Sequence, residues 1–145
     1  MIDKVQRMVK GAKGRNVRSD YQIGDVIDAV GARITVDNTE QLTALLQEIR
    51  GQLGDRILEI ENMYASTKSH APAYRVIPMV LKTEINSKFY TFELQLNTMR
   101  ASIAANLEHN TIFKHLVQVT EGQKQMIKRI MEEAAALDQL EMKKV

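Results

Sequence analysis

The sequence predicts an α+β fold in which a mixed, mainly antiparallel β-sheet is flanked by helices, and three observations carry that prediction. Two strand-like segments, 74–82 and 88–96, bracket the turn Glu84-Ile85-Asn86-Ser87 and read as a hairpin. Leu42, Leu45, Leu46, Ile49 and Leu53 recur at helical spacing. Two more helical patterns, 98–117 and 121–142, follow the hairpin. A chain of 145 residues is near the commonest domain size and buries roughly 70% of its unfolded surface. One domain over residues 1–145 is expected.

Residues 26–36, Val-Ile-Asp-Ala-Val-Gly-Ala-Arg-Ile-Thr-Val, pass from a short apolar turn through Gly31 into a β-branched strand, with Asp28 at its entrance and Arg33 just inside. The helix over 39–52 starts behind Asn38, with Gln41 in capping-box position, and ends at Gly54. Residues 57–61 read as a strand. Residues 64–73 lack an apolar pattern and are expected to be a mobile loop, with Tyr64 either packing to fix it or touching a ligand. Thr120 and Gln123 form a second capping box, and Met126, Ile130, Ala134, Leu137 and Leu140 are the expected apolar stripe of the last helix. The eight Met residues read as core filler. There is no internal repeat.

The absence of Cys excludes disulfides and thiol chemistry, which fits a reducing compartment. No apolar run approaches the ~20 residues of a membrane span, and no signal-peptide pattern is present. A cytoplasmic protein without membrane contact is expected. The net charge of +2 hides a basic segment: Lys4, Arg7, Lys10, Lys13, Arg15 and Arg18 stand against Asp3 alone. Such runs usually solubilise, but this one also suits nucleotide phosphates or an RNA backbone.

The chemistry concentrates in residues 88–98. Alternation along a strand sends Tyr90, Phe92, Leu94 and Leu96 to one face and Thr91, Glu93, Gln95 and Asn97 to the other. One face builds core. The other presents a carboxylate beside an amide, which is either the solvated side of an antiparallel sheet or a functional surface. Asp28 is either a turn cap, the commoner role, or a second carboxylate. Two carboxylates plus Arg33 would suit a magnesium ion and a phosphate. His70, His109 and His115 lack metal-ligand spacing.

The order Asp28-x-x-Gly31-x-Arg33-Ile34, Tyr64, Ala73-Tyr74-Arg75, Glu93-x-Gln95-x-x-Thr98, Glu108-His109 and Phe113-Lys114 resembles the synthetase domain of the RelA/SpoT family, small alarmone synthetases included, over about residues 2–115. The resemblance implies a nucleotidyltransferase-like synthetase fold. It also implies transfer of pyrophosphate from ATP to the 3′-hydroxyl of a guanine nucleotide. By that resemblance Asp28 and Glu93 hold Mg2+, with Glu93 also acting as base. Tyr74 stacks on the acceptor base, Gln95 lies in the acceptor pocket, and Glu108 and His109 support the site from a helix. Arg33, Arg75 and Lys82 are the candidates for phosphate charge.

Several positions depart from the family pattern. The polar Ser and His that follow its Tyr-Arg are here Val76 and Pro78, a family Arg is Asn97, and a family Asn falls at Ser102. The family's Arg-x-Lys element, which contacts ATP phosphates, precedes the helix matched by Ile2 to Val9. Either the sequence starts downstream of the native start, or the donor site is built differently. The expected function is a Mg-dependent nucleotide pyrophosphokinase with ATP and a guanine nucleotide as substrates. The alternatives are a toxin-type relative acting on an adenine nucleotide or a tRNA 3′ end, and a non-catalytic nucleotide-binding regulator. RNA on the basic segment and homo-oligomerisation are possible partnerships.

Overall fold

A computed structural model describes residues 31–114 and 118–143. Strands β1 (Gly31–Val36), β2 (Ile57–Ile60), β3 (Ile77–Ile85) and β4 (Lys88–Thr98) form a four-stranded sheet in the order β1-β4-β3-β2. β1 runs parallel to β4, and the other neighbours are antiparallel. The sheet is therefore mixed and mainly antiparallel, as expected. Helices α1 (Thr39–Leu53), α2 (Met99–Glu108) and α3 (Glu121–Met142) flank it.

Local chemistry accounts for the element ends. Asn38 Oδ1 accepts the backbone N–H of Gln41 at 2.9 Å, and Gln41 Oε1 accepts that of Asp37 at 3.0 Å. At α3 the reciprocal box closes, with Thr120 Oγ1 accepting from Gln123 and Gln123 Oε1 accepting from Thr120. The hairpin turns at Asn86 and Ser87, with φ of 51° and 65°. Positive φ at both central residues is the turn whose twist matches paired strands.

Ile77, Met79 and Leu81 of β3 and Leu94 and Leu96 of β4 face Leu42, Leu46 and Ile49 of α1 in one apolar cluster. Each such side chain contributes about 1.5–3 kcal/mol by leaving water. Phe92 packs against this cluster, but Tyr90, expected on the same face, is half exposed near the turn end of the hairpin. Alternation survives there; only the covering helix is missing.

Two other expectations change. Residues 98–117 do not form one continuous helix: α2 stops at Glu108 and passes into a π-helical turn, His109–Phe113. On α3 the buried residues are Ile127, Met131, Ala135 and Asp138. Met126, Ile130, Leu137 and Leu140 are exposed instead, and Ala134 is half-buried. The helix is rotated by about one residue from the stripe its hydrophobicity predicts, and the buried charge explains why.

Candidate active site

The polar face of the sheet is a ladder across the parallel pair. Gly31 is registered with Glu93, Arg33 with Gln95 and Thr35 with Asn97, so their side chains share the face turned away from α1. Arg33 donates through Nε and Nη2 to Gln95 Oε1 at 3.1 and 2.6 Å. Gln95 in turn donates through Nε2 to Glu93 Oε1. One row over, Thr35 Oγ1 donates to Asn97 Oδ1 at 2.7 Å, leaving the Asn97 amide as a donor. Gln95 thus separates a cation from a carboxylate and orients both.

Two cavities open on this ladder. One of about 400 Å³ is lined by Gly31, Ala32, Arg33, Glu93 and Gln95. The second, about 340 Å³, brings Tyr74 and Asn97 together with Asn106, Glu108 and His109 from the end of α2. Arg33 lines both and is the wall between them. Both chambers carry a carboxylate, Glu93 in the first and Glu108 in the second, and the second adds an aromatic ring and two amides.

Beneath the second cavity lies a buried charge cluster. Asp138 is 1% exposed and accepts an ion pair from Arg75, a bond from Arg100 Nη1 at 2.7 Å and one from Thr98 Oγ1 at 3.2 Å. Arg75 also donates to the carbonyls of Ala73 and Ala134 and lies over the Tyr64 ring. Its Nη2 is buried without a hydrogen-bond partner. Burial, and then the nearby Arg100, pull the Arg75 pKa below its ordinary value, against the opposing influence of Tyr64. Tyr64 Oη accepts the backbone N–H of Thr98 at 3.0 Å, and Thr98 caps α2 through Ala101 N–H. Tyr64 is therefore a packing residue that pins its segment to the sheet end.

A family model described as a region found in RelA/SpoT proteins matches residues 1–118. The chain belongs to the RelA/SpoT family. Its fold is similar to that of small alarmone synthetase 2 from Bacillus subtilis, with a TM-score of 0.71 at 21% identity, covering 99% of this chain and 74% of that one. Small alarmone synthetase 1 from the same organism, bound to its product pppGpp, gives 0.68 at 20% identity over 94% of this chain and 68% of that one. A GTP pyrophosphokinase family protein from Streptococcus pneumoniae gives 0.63 at 20% identity over 79% of this chain, which spans 57% of its length. No curated protein matches significantly by sequence.

Within this RelA/SpoT frame the site residues divide into groups. Glu93, Gln95 and Arg33 come together on one face, as strand alternation implies. Tyr74, half-buried, shares the adjoining cavity with Glu108 and His109. Arg75 does not reach out to solvent: its guanidinium is turned inward onto Asp138, and its side chain is 2% exposed. That corrects its expected place among the phosphate-facing cations, because the N–H groups a phosphate needs are buried or bonded. Lys82 shares the polar face, registered with Thr91, but its Nζ lies 5.9 Å over the Phe89 ring beside a separate cavity of about 440 Å³. Asp28 and the basic arm of residues 1–18 lie outside the described residues.

The family departures map onto the same walls. Val76 is buried, Pro78 sits on β3 opposite Gln95, and Asn97 is tied to Thr35. Ser102 is half-buried in α2. Among the described residues no three His, Cys, Asp or Glu side chains gather closely enough to hold a metal ion. Glu93 alone, half-buried at a cavity wall with one oxygen bonded by Gln95, fits an ion such as magnesium, which takes one or two carboxylates and completes its shell with water and phosphate. Asp28 precedes Gly31, the register partner of Glu93, by three residues, at most about 11 Å of chain. No described helix is long and apolar enough to cross a membrane.

Sequence reasoning passed over Asp138, Arg100 and Asn106. The signal for Asp138 was present: it occupies a helical position in step with Ile127, Met131 and Ala135. A lone carboxylate in such a row asks for a cation nearby.

Proposed function

We propose that this protein is a nucleotide pyrophosphokinase that transfers the β,γ-pyrophosphoryl group of ATP to the 3′-hydroxyl of a guanine nucleotide. The observation that carries this reading is the Arg33–Gln95–Glu93 ladder, which sets a fixed carboxylate and a cation on one sheet face beside a cavity walled by Tyr74. Membership of the RelA/SpoT family supplies the reaction class.

The acceptor hydroxyl attacks the β-phosphorus in line, the new 3′-oxygen–phosphorus bond forms, and the α–β bridging bond breaks so that AMP leaves with the electron pair. Glu93 takes the hydroxyl proton. Gln95 keeps the Glu93 carboxylate aimed by holding one of its oxygens, and Arg33 meets developing phosphate charge from the wall between the chambers. Tyr74 stacks on the acceptor base, with the Asn97 amide and Glu108 as polar partners at the base edge. Asp28 and Glu93 would hold the magnesium ion, which supplies neutralisation of triphosphate charge when bound. The basic segment from Lys4 to Arg18 is proposed to meet part of the triphosphate charge.

Val76, Pro78 and Asn97 alter the acceptor side, which favours one further reading: the same transfer onto an adenine nucleotide or a tRNA 3′ end. The test is incubation of the purified chain with ATP labelled in its terminal phosphates, magnesium and a panel of GDP, GTP, ATP and tRNA. Label appearing on GDP or GTP supports the first reading, and label found only on tRNA or in a 3′-pyrophosphorylated product of ATP replaces it with the second. Nucleotide binding without transfer to any acceptor would mark a non-catalytic regulator.

A further inference from the structure

We propose that Asp138 is a positioning residue for the cavity around Tyr74: from α3 it ties the two walls of that cavity together and so fixes the ring relative to α2. The inference rests on the reading of this cavity as the acceptor site. One wall is Tyr74, Arg75 and Val76, and the other is Ala105, Asn106, Glu108 and His109 at the end of α2. The first wall lies ahead of β3 in no regular element, and the Tyr74 N–H bonds within its own loop, to the Ala71 carbonyl at 3.1 Å. Its firm hold is the Arg75 guanidinium. Asp138 Oδ2 pairs with Arg75 and accepts from Thr98 Oγ1, while Oδ1 accepts from Arg100 Nη1. Arg75 is the residue after Tyr74; Thr98 caps α2, and Arg100 sits in its first turn. One carboxylate on a third element therefore holds both walls.

Stability alone does not account for the arrangement. A well-packed apolar pair in place of Arg75 and Asp138 would often hold these elements as firmly, and Arg75 Nη2 is left buried with no hydrogen-bond partner, a cost such a pair would not incur. What charge-assisted bonds add is direction, since each is satisfied in a narrow geometry. Apolar packing offers the loop little of this. The cluster between α2 and α3 is Ala104, Ile127 and Met131, and the loop contributes Ala73 to it. A single methyl group has few atoms with which to fix a position. The Arg75–Asp138 pair, with a further Arg75 bond to the Ala134 carbonyl of α3 at 3.2 Å, decides where the loop sits.

Amide hydrogen exchange and calorimetric titration with GDP, both on the full chain, test this with three variants. Asp138→Asn keeps the shape and removes the charge. Arg100→Met releases α2 alone, and with Arg100 33% exposed it costs the fold less. Leu46→Ala, in the core under α1, is the control that lowers stability away from the cluster. Asp138→Asn is expected to speed exchange at Tyr74 and along α2 about ten-fold beyond the control, and to weaken GDP binding about ten-fold, within what one stacked base supplies. Added to Tyr74→Ala it should weaken GDP no further, because the carboxylate acts through the ring. Equal exchange in Asp138→Asn and Leu46→Ala overturns the proposal, as does an additive loss of GDP affinity in the double variant. Should Asp138→Asn fail to fold, Arg100→Met decides: unchanged α2 exchange in that variant overturns the tie, and faster exchange there than in the control upholds it. Selective exchange in a chain that binds no GDP upholds the positioning and removes the guanine-acceptor reading instead.

Discussion

Two arginine–carboxylate groups border the second cavity, which Arg33 and Arg75 both line, and they have opposite surroundings. In the ladder Arg33 is exposed, Glu93 is half-buried, and a neutral amide stands between them above an open cavity. In the cluster Arg75 and Asp138 touch directly, each side chain is at most 2% exposed, and their bonds are to one another and to neighbouring protein groups. Charges kept apart next to solvent retain hydrogen-bonding capacity for a ligand. Charges closed on each other away from solvent retain little, and their removal is felt by the fold. Burial, more than residue type, separates a binding arginine from a structural one.

The contrast breaks first at its buried member. Asp138→Ala strands Arg75 as an unpaired interior cation and deprives Thr98 and Arg100 of their acceptor; the expected loss is about 3–5 kcal/mol of unfolding free energy in urea titration. Glu93→Gln should leave that free energy within about 0.5 kcal/mol of wild type while lowering pyrophosphate transfer about 10²–10⁴-fold. If the two variants destabilise alike, the ladder is as structural as the cluster and the division drawn between them fails.

A smaller effect sharpens the cavity between them. Tyr74→Ala should weaken acceptor-nucleotide binding by about 1–3 kcal/mol, the range of base–aromatic stacking, and shift the thermal midpoint little because Tyr74 is only half-buried. Calorimetric titration with GDP reads the first effect, and a thermal melt reads the second. Unchanged affinity with a lowered midpoint would move Tyr74 from the cavity to the core.

The ladder was legible in the sequence because strand alternation is a strict rule: once residues 88–98 are a strand, Glu93, Gln95 and Asn97 must share a face. Register with β1 was not legible. It arises from a parallel pairing between segments 62 residues apart, visible only as Arg33 bonded to Gln95. The face of α3 was misjudged for a physical reason. Two stripes one residue apart compete on that helix, and the more hydrophobic one, Met126 to Leu140, is outside because Asp138 on the other must reach Arg75 and Arg100. Pairing a buried charge took precedence over covering the more apolar stripe. The stop of α2 at Glu108 was equally hidden, since residues 109–113 contain neither Gly nor Pro.

The smallest expected effect lies at the rim of the cluster, where Glu141 accepts Arg100 Nη2 at 2.7 Å and Thr39 Oγ1 at 3.3 Å with about a third of its side chain exposed, 34%. The Arg100 hydrogen bond is the main influence holding the Glu141 carboxyl below its ordinary pKa. A carboxylate whose folded pKa is depressed stabilises the fold fully above its unfolded pKa, about 4.3 for Glu, and that contribution disappears as pH falls through the folded value. The stability gap between wild type and Glu141→Gln should therefore be constant near neutrality and close progressively in acid. Asp138 is present in both proteins, so it does not enter the first-order difference. Solvent screening keeps the gap small, and added salt should reduce it further. Urea titrations of the two proteins from neutral to acid pH read it directly. A gap that widens toward low pH would mean that Arg100 is held by Asp138 alone and that Glu141 is a free surface carboxylate.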